Sequence, residues 1–250
     1  MREGYEVIYK RPKTLLNKRM HYCPGCIHGT THKVMMEIVE EMDIQHRTVG
    51  VCPVGCSVFA YDYMDVDMQE AAHGRAAAVA TAIKRMLPDR IVFSYQGDGD
   101  LAAIGTAETI HACNRGENIT FIFINNEIYG MTGGQMAPTT LDKMKTTTSP
   151  YGRDAATMGM PLKMTEIVSQ FDGVVYAERV SFNTPANVRK AKKAIKKAFE
   201  IQEKKIGTTF IEVVSNCPSG WKCTPVESME WIKEKALSYY PLGVFKEPEK

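Results

Sequence analysis

The chain has 250 residues, 44% of them hydrophobic, enough for one α/β domain with a sizeable core. Lysine and arginine total 31 against 29 aspartate and glutamate, and a formal charge of +2 favours neither nucleic acid nor an anionic membrane as partner. No apolar run approaches the roughly 20 residues that span a bilayer, and the opening MREGYEVIYKRPKTLL lacks the apolar core of a secretory signal, so a cytosolic protein is expected.

Residues 1–20 are basic and irregular and read as an arm that packs on a partner. Val34, Met35, Ile38, Val39 and Met42 recur at helical spacing. Residues 48–51 suggest a short strand leading into Cys52-Pro-Val-Gly-Cys56, and the alanine-rich stretch 74–87 a helix ended by Pro88. Residues 91–95 (IVFSY) form an apolar strand, 97–100 a Gly-Asp-Gly-Asp turn, 101–113 a helix and 119–124 (ITFIFI) a buried strand. This is a βαβ unit and predicts a single domain built on a mostly parallel sheet flanked by helices. Residues 129–162, rich in Gly, Thr and Pro, are too long for an ordinary connection, and such loops are usually functional. Further strands are expected at 174–177 and 210–214. Between them Val188, Ala191, Ile195, Ala198 and Phe199 stripe a helix. Its lysines at 190, 192, 193, 196 and 197 fit a solvated outer face better than a docking face for an acidic carrier.

The turn Gly97-Asp98-Gly99-Asp100 stands where ligands bind in open α/β sheets, at the carboxyl end of a strand. Gly97 and Gly99 let backbone approach a phosphate, and the following helix offers unpaired N–H groups. The turn also sets carboxylates beside that anion, which repel it unless a divalent cation lies between; Mg²⁺ takes hard oxygen ligands and phosphates together. Asn125-Asn126 follows the neighbouring strand and can supply a further oxygen. Gly-Asp-Gly, twenty-five residues, then Asn-Asn resembles the thiamine-diphosphate motif. A nicotinamide site would need Gly-x-Gly-x-x-Gly at this turn, which is absent. By the thiamine pattern Asp98, the Asn126 side chain and the carbonyl of Ile128 hold Mg²⁺, with Gly97, Gly99 and Asp100 on the diphosphate side.

Seven cysteines, at 23, 26, 52, 56, 113, 217 and 223, are an odd number in a chain expected in a reducing compartment, so metal or redox chemistry is favoured over disulfides. Cys23-Pro-Gly-Cys26 alone is open between zinc, a thiol pair and half an iron–sulfur site. Cys217 with Cys223, or Cys52 with Cys56, could complete a zinc site.

In order along residues 20–245, Tyr22-Cys-Pro-Gly-Cys26, Val54-Gly-Cys-Ser57, His73-Gly-Arg75, the Gly97–Asp100 turn, Asn126-Glu-Ile-Tyr-Gly-Met-Thr-Gly-Gly-Gln135 and Asn216-Cys-Pro-Ser219 resemble the β subunits of 2-oxoacid:ferredoxin oxidoreductases. The resemblance implies a [4Fe–4S] cluster on Cys23, Cys26, Cys56 and Cys217. Cys52 is the rival to Cys56, which is preferred for its Gly-Cys-Ser context. It also implies thiamine diphosphate contacts from Val54, Gly55, Cys56, Ser57, His73, Gly130 and Met131. His28, His32, His111 and Cys113 are expected to be structural, and Cys223 carries no assignment. The implied reaction is coenzyme A-dependent oxidative decarboxylation of a 2-oxoacid, with electrons passing through the cluster to ferredoxin. Cys26-Ile-His-Gly-Thr30 inclines the substrate toward 2-oxoisovalerate, ahead of 2-oxoglutarate and pyruvate. One diphosphate-type domain leaves no room for the pyrimidine-binding domain. An α-type partner is therefore expected, with γ-type and ferredoxin-like subunits, and the chain alone should be inactive. Two other readings stay open at this point: a subunit of a non-redox thiamine decarboxylase or synthase, and a non-catalytic zinc- or cluster-binding module.

Overall fold

A computed structural model of the chain describes residue 4 and residues 6–248. Its centre is a seven-stranded sheet. The strands are β1 (Thr48–Pro53), β2 (Asp67–Ala71), β3 (Ile91–Gly97), β4 (Thr120–Asn125), β7 (Val174–Ser181), β8 (Thr208–Val214) and β9 (Gly243–Lys246). A separate two-stranded hairpin joins β5 (Ile128–Tyr129) to β6 (Gln135–Met136). The order across the sheet is β2-β1-β3-β4-β8-β7-β9, with every pairing parallel except β7 with β9. The expected βαβ unit is present: Phe93 pairs with Thr120 and Gly97 with Ile124.

β1, β4 and β8 are buried along their whole lengths, the signature of strands covered on both faces. Alternate side chains feed two apolar clusters. Phe93, Tyr95, Ile122, Ile124, Ile211 and Val213 face helices α1 (Ile27–Glu41) and α6 (Pro185–Glu203). Val92, Phe121, Phe123 and Phe210 face α2 (Ala76–Met86), α3 (Thr106–Asn114) and α5 (Met164–Val168). α4 (Ala155–Met158) lies in the long loop, so residues 129–162 carry a hairpin and a helical turn rather than no structure. After β8 come α7 (Pro218–Trp221) and α8 (Pro225–Trp231), the latter opened by a Thr224–Glu227 capping box.

The helix after Gly97 begins at once and contains a π-helical turn, Asp100–Ile104, closed by the Gly105 N–H donating to the Asp100 carbonyl at 2.7 Å. That turn lies against Gly74, whose φ is +80°. A Cβ on Gly105 would stand 2.7 Å from the Gly74 carbonyl oxygen, so both positions need glycine to bring His73 against Asp100.

The lysines of α6 are largely spent within the chain: Lys192 pairs with Glu37 at 3.0 Å and with Glu41, Lys196 with Glu41 at 3.7 Å, and Lys197 with Glu247. This agrees with the solvated-face reading. In the expected N-terminal arm, residues 1–3 and 5 lie outside the described residues. Thr14 and Leu15 are buried on the chain itself, the Thr14 hydroxyl donating to the Met36 carbonyl at 2.7 Å, while residues 6–11 are exposed. Among the described residues no helix is long and apolar enough to cross a membrane.

Candidate cofactor site

β1 connects outward to β2 on one side and β3 to β4 on the other, so the crevice between the carboxyl ends of β1 and β3 is a topological switch point. The residues singled out in the sequence collect there. Val54–Ser57 follow β1, His73 follows β2, Asp98 follows β3, Asn126 follows β4 and Cys217 follows β8. One cleft is lined by Val54, Gly55, Cys56, Ser57, His73, Gly97, Asp98, Gly99, Asp100, Asn126, Ile128, Gly130 and Met131, together with His28, Tyr129 and Thr132. Every cofactor-contacting residue expected from the sequence is in that lining.

Asp98 is 2% exposed. Its Oδ1 accepts the Gly99 N–H at 2.8 Å, and its Oδ2 accepts the Thr139 hydroxyl at 2.6 Å and the Ile128 N–H at 3.2 Å. The Asn126 amide end nearest this carboxylate lies 3.3 Å from Asp98 Oδ1 and 2.8 Å from the Ile128 carbonyl. With its nitrogen there, the amide donates to both. With its oxygen there, three oxygens face one another, an arrangement that only a cation between them makes favourable. Asp98, Asn126 and Ile128 therefore fit a hard divalent ion. Around them Gly97 and Gly55 have open space where a Cβ would stand, room for a phosphate to approach the backbone.

Burial pushes the Asp98 carboxyl up to about 6 against its several hydrogen bonds. Burial likewise lifts Glu127, between Asn126 and Ile128, to about 8, with the Trp231 N–H opposing and the Asp98 charge adding. Stability drawn from neutral Glu127 is full below its unfolded value and is lost as pH rises through about 8. Glu127→Gln in metal-free protein is expected to raise the urea midpoint most at pH 9, less at pH 6, and to leave it near the parent value only at about pH 4.

Asp100 lines the cleft but spends its oxygens inside the chain. Oδ1 meets His73 Nδ1 and accepts the Gly74 N–H, each at 2.5 Å, and Oδ2 accepts from Gln96 at 2.7 Å. It is a positioning residue: it orients His73, leaving Nε2 for a ligand.

The cysteines separate into two groups. Burial lifts the Cys26 and Cys217 thiols to about 12 and Cys56 to about 11, and each of these is raised further by charge on others in the set of 23, 26 and 56. Thiols in such a nest become thiolates when metal takes the proton's place. A Cβ on Gly130 would lie 2.8 Å from Cys217 Sγ and 3.8 Å from Cys56 Sγ. The Ser219 hydroxyl donates to Cys23 Sγ at 3.1 Å. Asn216 ties the two cysteine loops: its Oδ1 accepts the Ile27 N–H and its Nδ2 donates to the Gly25 carbonyl, both at 3.0 Å. Cys52, the sequence rival of Cys56, is fully buried within β1 and donates to the Val58 carbonyl. Cys113 is buried on α3, and burial together with the charge of Glu227 raises the Cys223 thiol. Among the described residues no three His, Cys, Asp or Glu side chains gather at the spacing of a single ion.

A buried ion network reaches this site from the far side of the sheet. Arg179 and Glu212, both 0% exposed, pair at 2.8 Å; Arg179 also holds Glu166, and Glu212 accepts from Asn125 Nδ2 at 2.7 Å. Removing one member strands a buried charge, so Arg179→Met is expected to lower unfolding free energy by about 3–5 kcal/mol in urea titrations.

Sequence reasoning passed over four residues here. Thr139 holds Asp98 from within the long loop. His28, expected to be structural, lines the cleft, buried with its Nδ1 2.7 Å from the Tyr95 hydroxyl. Trp221 and Trp231 donate to the Asn126 carbonyl and to Glu127 Oε2, each at 3.1 Å. Only Thr139, inside a loop flagged as functional by its length, had any signal.

Residues 53–213 match the family model of the thiamine pyrophosphate enzymes, C-terminal TPP binding domain. The chain is 48% identical over 227 residues to the ketoisovalerate oxidoreductase subunit VorA of Methanothermobacter thermautotrophicus, an alignment covering 91% of this chain and 48% of that relative. It is 38% identical over 223 residues to the 2-oxoglutarate synthase subunit KorB of Methanocaldococcus jannaschii, covering 86% and 78%. The chain thus spans about half the length of the ketoisovalerate relatives it matches. Its fold is shared with a solved 2-oxoglutarate:ferredoxin oxidoreductase from Magnetococcus marinus, with a TM-score of 0.79 and 22% identity over 98% of this chain and 88% of that one. The matched domain spans the cleft described above, and the chain belongs to the thiamine pyrophosphate enzymes, among the subunits of the 2-oxoacid oxidoreductases.

Proposed function

We propose that this chain is the cofactor-bearing subunit of a 2-oxoacid:ferredoxin oxidoreductase that decarboxylates its substrate oxidatively and passes the acyl group to coenzyme A. The observation that carries the reading is the sharing of one wall by two sites, the oxygens of Asp98, Asn126 and Ile128 and the sulfurs of Cys56 and Cys217, which meet at Gly130.

Bound thiamine diphosphate supplies the electron sink that decarboxylation of a 2-oxoacid requires. Asp98, Asn126 and the Ile128 carbonyl would hold Mg²⁺, whose charge would offset a diphosphate set against the buried carboxylate. Gly97 would admit a phosphate to the backbone, Gly99 makes room for the Tyr129 ring packed on it, and Val54, Gly55, Ser57, Gly130 and Met131 would wall the cofactor. Asp100 fixes His73 by its Nδ1 so that Nε2 meets the cofactor. Cys23, Cys26, Cys56 and Cys217 would hold a [4Fe–4S] cluster, which would supply single-electron transfer toward ferredoxin. A non-redox thiamine enzyme would leave this sulfur set without a task.

The cleft in this chain measures about 90 Å³. Sites that enclose a cofactor-sized ligand run to roughly 300–1,000 Å³. Completion of the site therefore falls to an α-type partner carrying the pyrimidine-binding domain, within a complex that includes γ-type and ferredoxin-like subunits. The reducing cytosol suits seven cysteines that are all free. A branched-chain 2-oxoacid is the favoured substrate. Supporting it, identity is 48% to the ketoisovalerate relative, 38% to a 2-oxoglutarate relative and 27% to a pyruvate relative.

The test is ferredoxin reduction by the anaerobically purified complex, with iron and acid-labile sulfide measured on this chain. About four irons per chain, a reduced-cluster EPR signal, and faster turnover of 2-oxoisovalerate than of 2-oxoglutarate or pyruvate are expected. Thiamine diphosphate binding without iron would overturn the redox reading. Turnover by the isolated chain would overturn the need for a partner.

A further inference from the structure

The metal-binding segment 125–128 is held from four directions. Glu212 accepts from Asn125 Nδ2 at 2.7 Å, and Asn125 Oδ1 accepts the Glu127 N–H at 3.3 Å. The Thr140 hydroxyl donates to the Glu127 carbonyl. The remaining two anchors are indoles: Trp221 Nε1 donates to the Asn126 carbonyl and Trp231 Nε1 to Glu127 Oε2, both at 3.1 Å. Glu127 carries a φ of +64°, a left-handed conformation unfavourable for a side-chain-bearing residue, so the backbone there must be held. That kink turns Asn126 and the Ile128 carbonyl toward the same point beside Asp98.

The two indoles lie against each other, ring centroids 5.8 Å apart, and line a cavity of about 460 Å³ with Lys143, Met144, Lys145, Cys223 and Glu227. They come from α7 and α8, elements that follow Cys217, and are the chain's only two tryptophans. The segment after the sulfur-bearing loop therefore reaches back to grip the metal-bearing one.

We propose that Trp221 and Trp231 are positioning residues for the magnesium site, fastening the 126–128 kink through the Asn126 carbonyl and the Glu127 carboxyl. The inference rests on the metal assignment made above. It predicts that the indole N–H groups set affinity for the ion rather than the rate once the ion is bound.

The reconstituted complex is assayed across Mg²⁺ concentrations at saturating thiamine diphosphate. Trp231→Phe keeps an aromatic ring and removes the donor. It is expected to raise the Mg²⁺ concentration for half activity roughly tenfold, the loss of one buried hydrogen bond to the Glu127 carboxyl, and to leave kcat at saturating Mg²⁺ within twofold. Glu127→Ala should match it, and Glu127→Gln, which keeps an acceptor for the indole, should fall nearer the parent. Mg²⁺ affinity of the complex, measured by calorimetry in the presence of thiamine diphosphate, should fall by the same factor in Trp231→Phe, and an unchanged affinity overturns the clamp. An unchanged Mg²⁺ requirement in Trp231→Phe, with the requirement abolished or greatly raised in Asp98→Ala, overturns the clamp alone. A kcat that falls at every Mg²⁺ concentration, without recovery in Glu127→Gln, marks a merely structural role and also overturns it. An unaltered requirement in Asp98→Ala itself overturns the metal assignment beneath it.

Discussion

Asp98→Ala is expected to weaken Mg²⁺-dependent binding of thiamine diphosphate by at least about 10²-fold, roughly 3 kcal/mol or more, and to abolish turnover by the complex. Asp98 is the single ionised ligand in the oxygen set; Asn126 and the Ile128 carbonyl are neutral dipoles. Burial already lifts its carboxyl to about 6, so the fold tolerates the charge poorly until a cation offsets it. Removing the carboxylate leaves a diphosphate opposite dipoles alone, and also strands the Thr139 hydroxyl, which now donates to Asp98 Oδ2. In the free protein the relief of a costly buried anion is set against the Thr139 hydroxyl and the Gly99 and Ile128 N–H groups left without an acceptor. Calorimetric titration with thiamine diphosphate, with and without Mg²⁺, separates the two effects. Retained Mg²⁺-dependent affinity in Asp98→Ala would show that the ion sits elsewhere.

Cys217→Ala is expected to be as severe and to act on different chemistry. Iron should fall well below about four per chain, the reduced-cluster EPR signal should vanish, and ferredoxin reduction should cease, while thiamine diphosphate still binds. Cys217 sits at the start of α7 with its sulfur beside Gly130, and its neighbour Asn216 pins the loop carrying Cys23 and Cys26. Asn216→Ala should therefore loosen the cluster without removing a ligand. The contrasting variants are Cys52→Ala and Cys223→Ala. Cys52 is sealed within β1 and Cys223 stands outside the set assigned to the cluster, so iron content should hold in both. Iron lost in Cys52→Ala and kept in Cys56→Ala would reverse the assignment of the third thiolate.

Much of this site was legible because its residues follow strands whose apolar runs are unmistakable. Residues 91–95 and 119–124 announce β3 and β4, and whatever follows such strands in a parallel sheet lies at one edge. The Gly-Asp-Gly turn and Asn126 inherit their proximity from that geometry. β2 escaped notice because Asp67–Ala71 is a mostly exposed edge strand with no apolar alternation, and β9 because four residues give no period to read. The π-helical turn at Asp100 left no signal either, since it comes from the Gly74–Gly105 approach, a contact between residues thirty-one positions apart. The Thr224–Glu227 capping box was readable, as a threonine with glutamate three residues on, and would have placed α8. Nothing local could have revealed that Trp231 meets Glu127, which depends on how the C-terminal helices fold back over the sheet.

Gly130 is where the two halves of the site touch, and in the proposed enzyme it is the partition between thiamine and iron. A wall at a residue without a side chain would let a group on its far side come close to the sulfurs of Cys56 and Cys217. It would also tie the two cofactors in function while leaving each to bind on its own: were the cluster oxidised away, thiamine diphosphate would stay seated, yet the electrons of decarboxylation would find no acceptor beyond the Gly130 wall. Damage at the iron would then be felt at the carbon chemistry, in an oxygen-exposed enzyme that keeps its thiamine and loses its turnover.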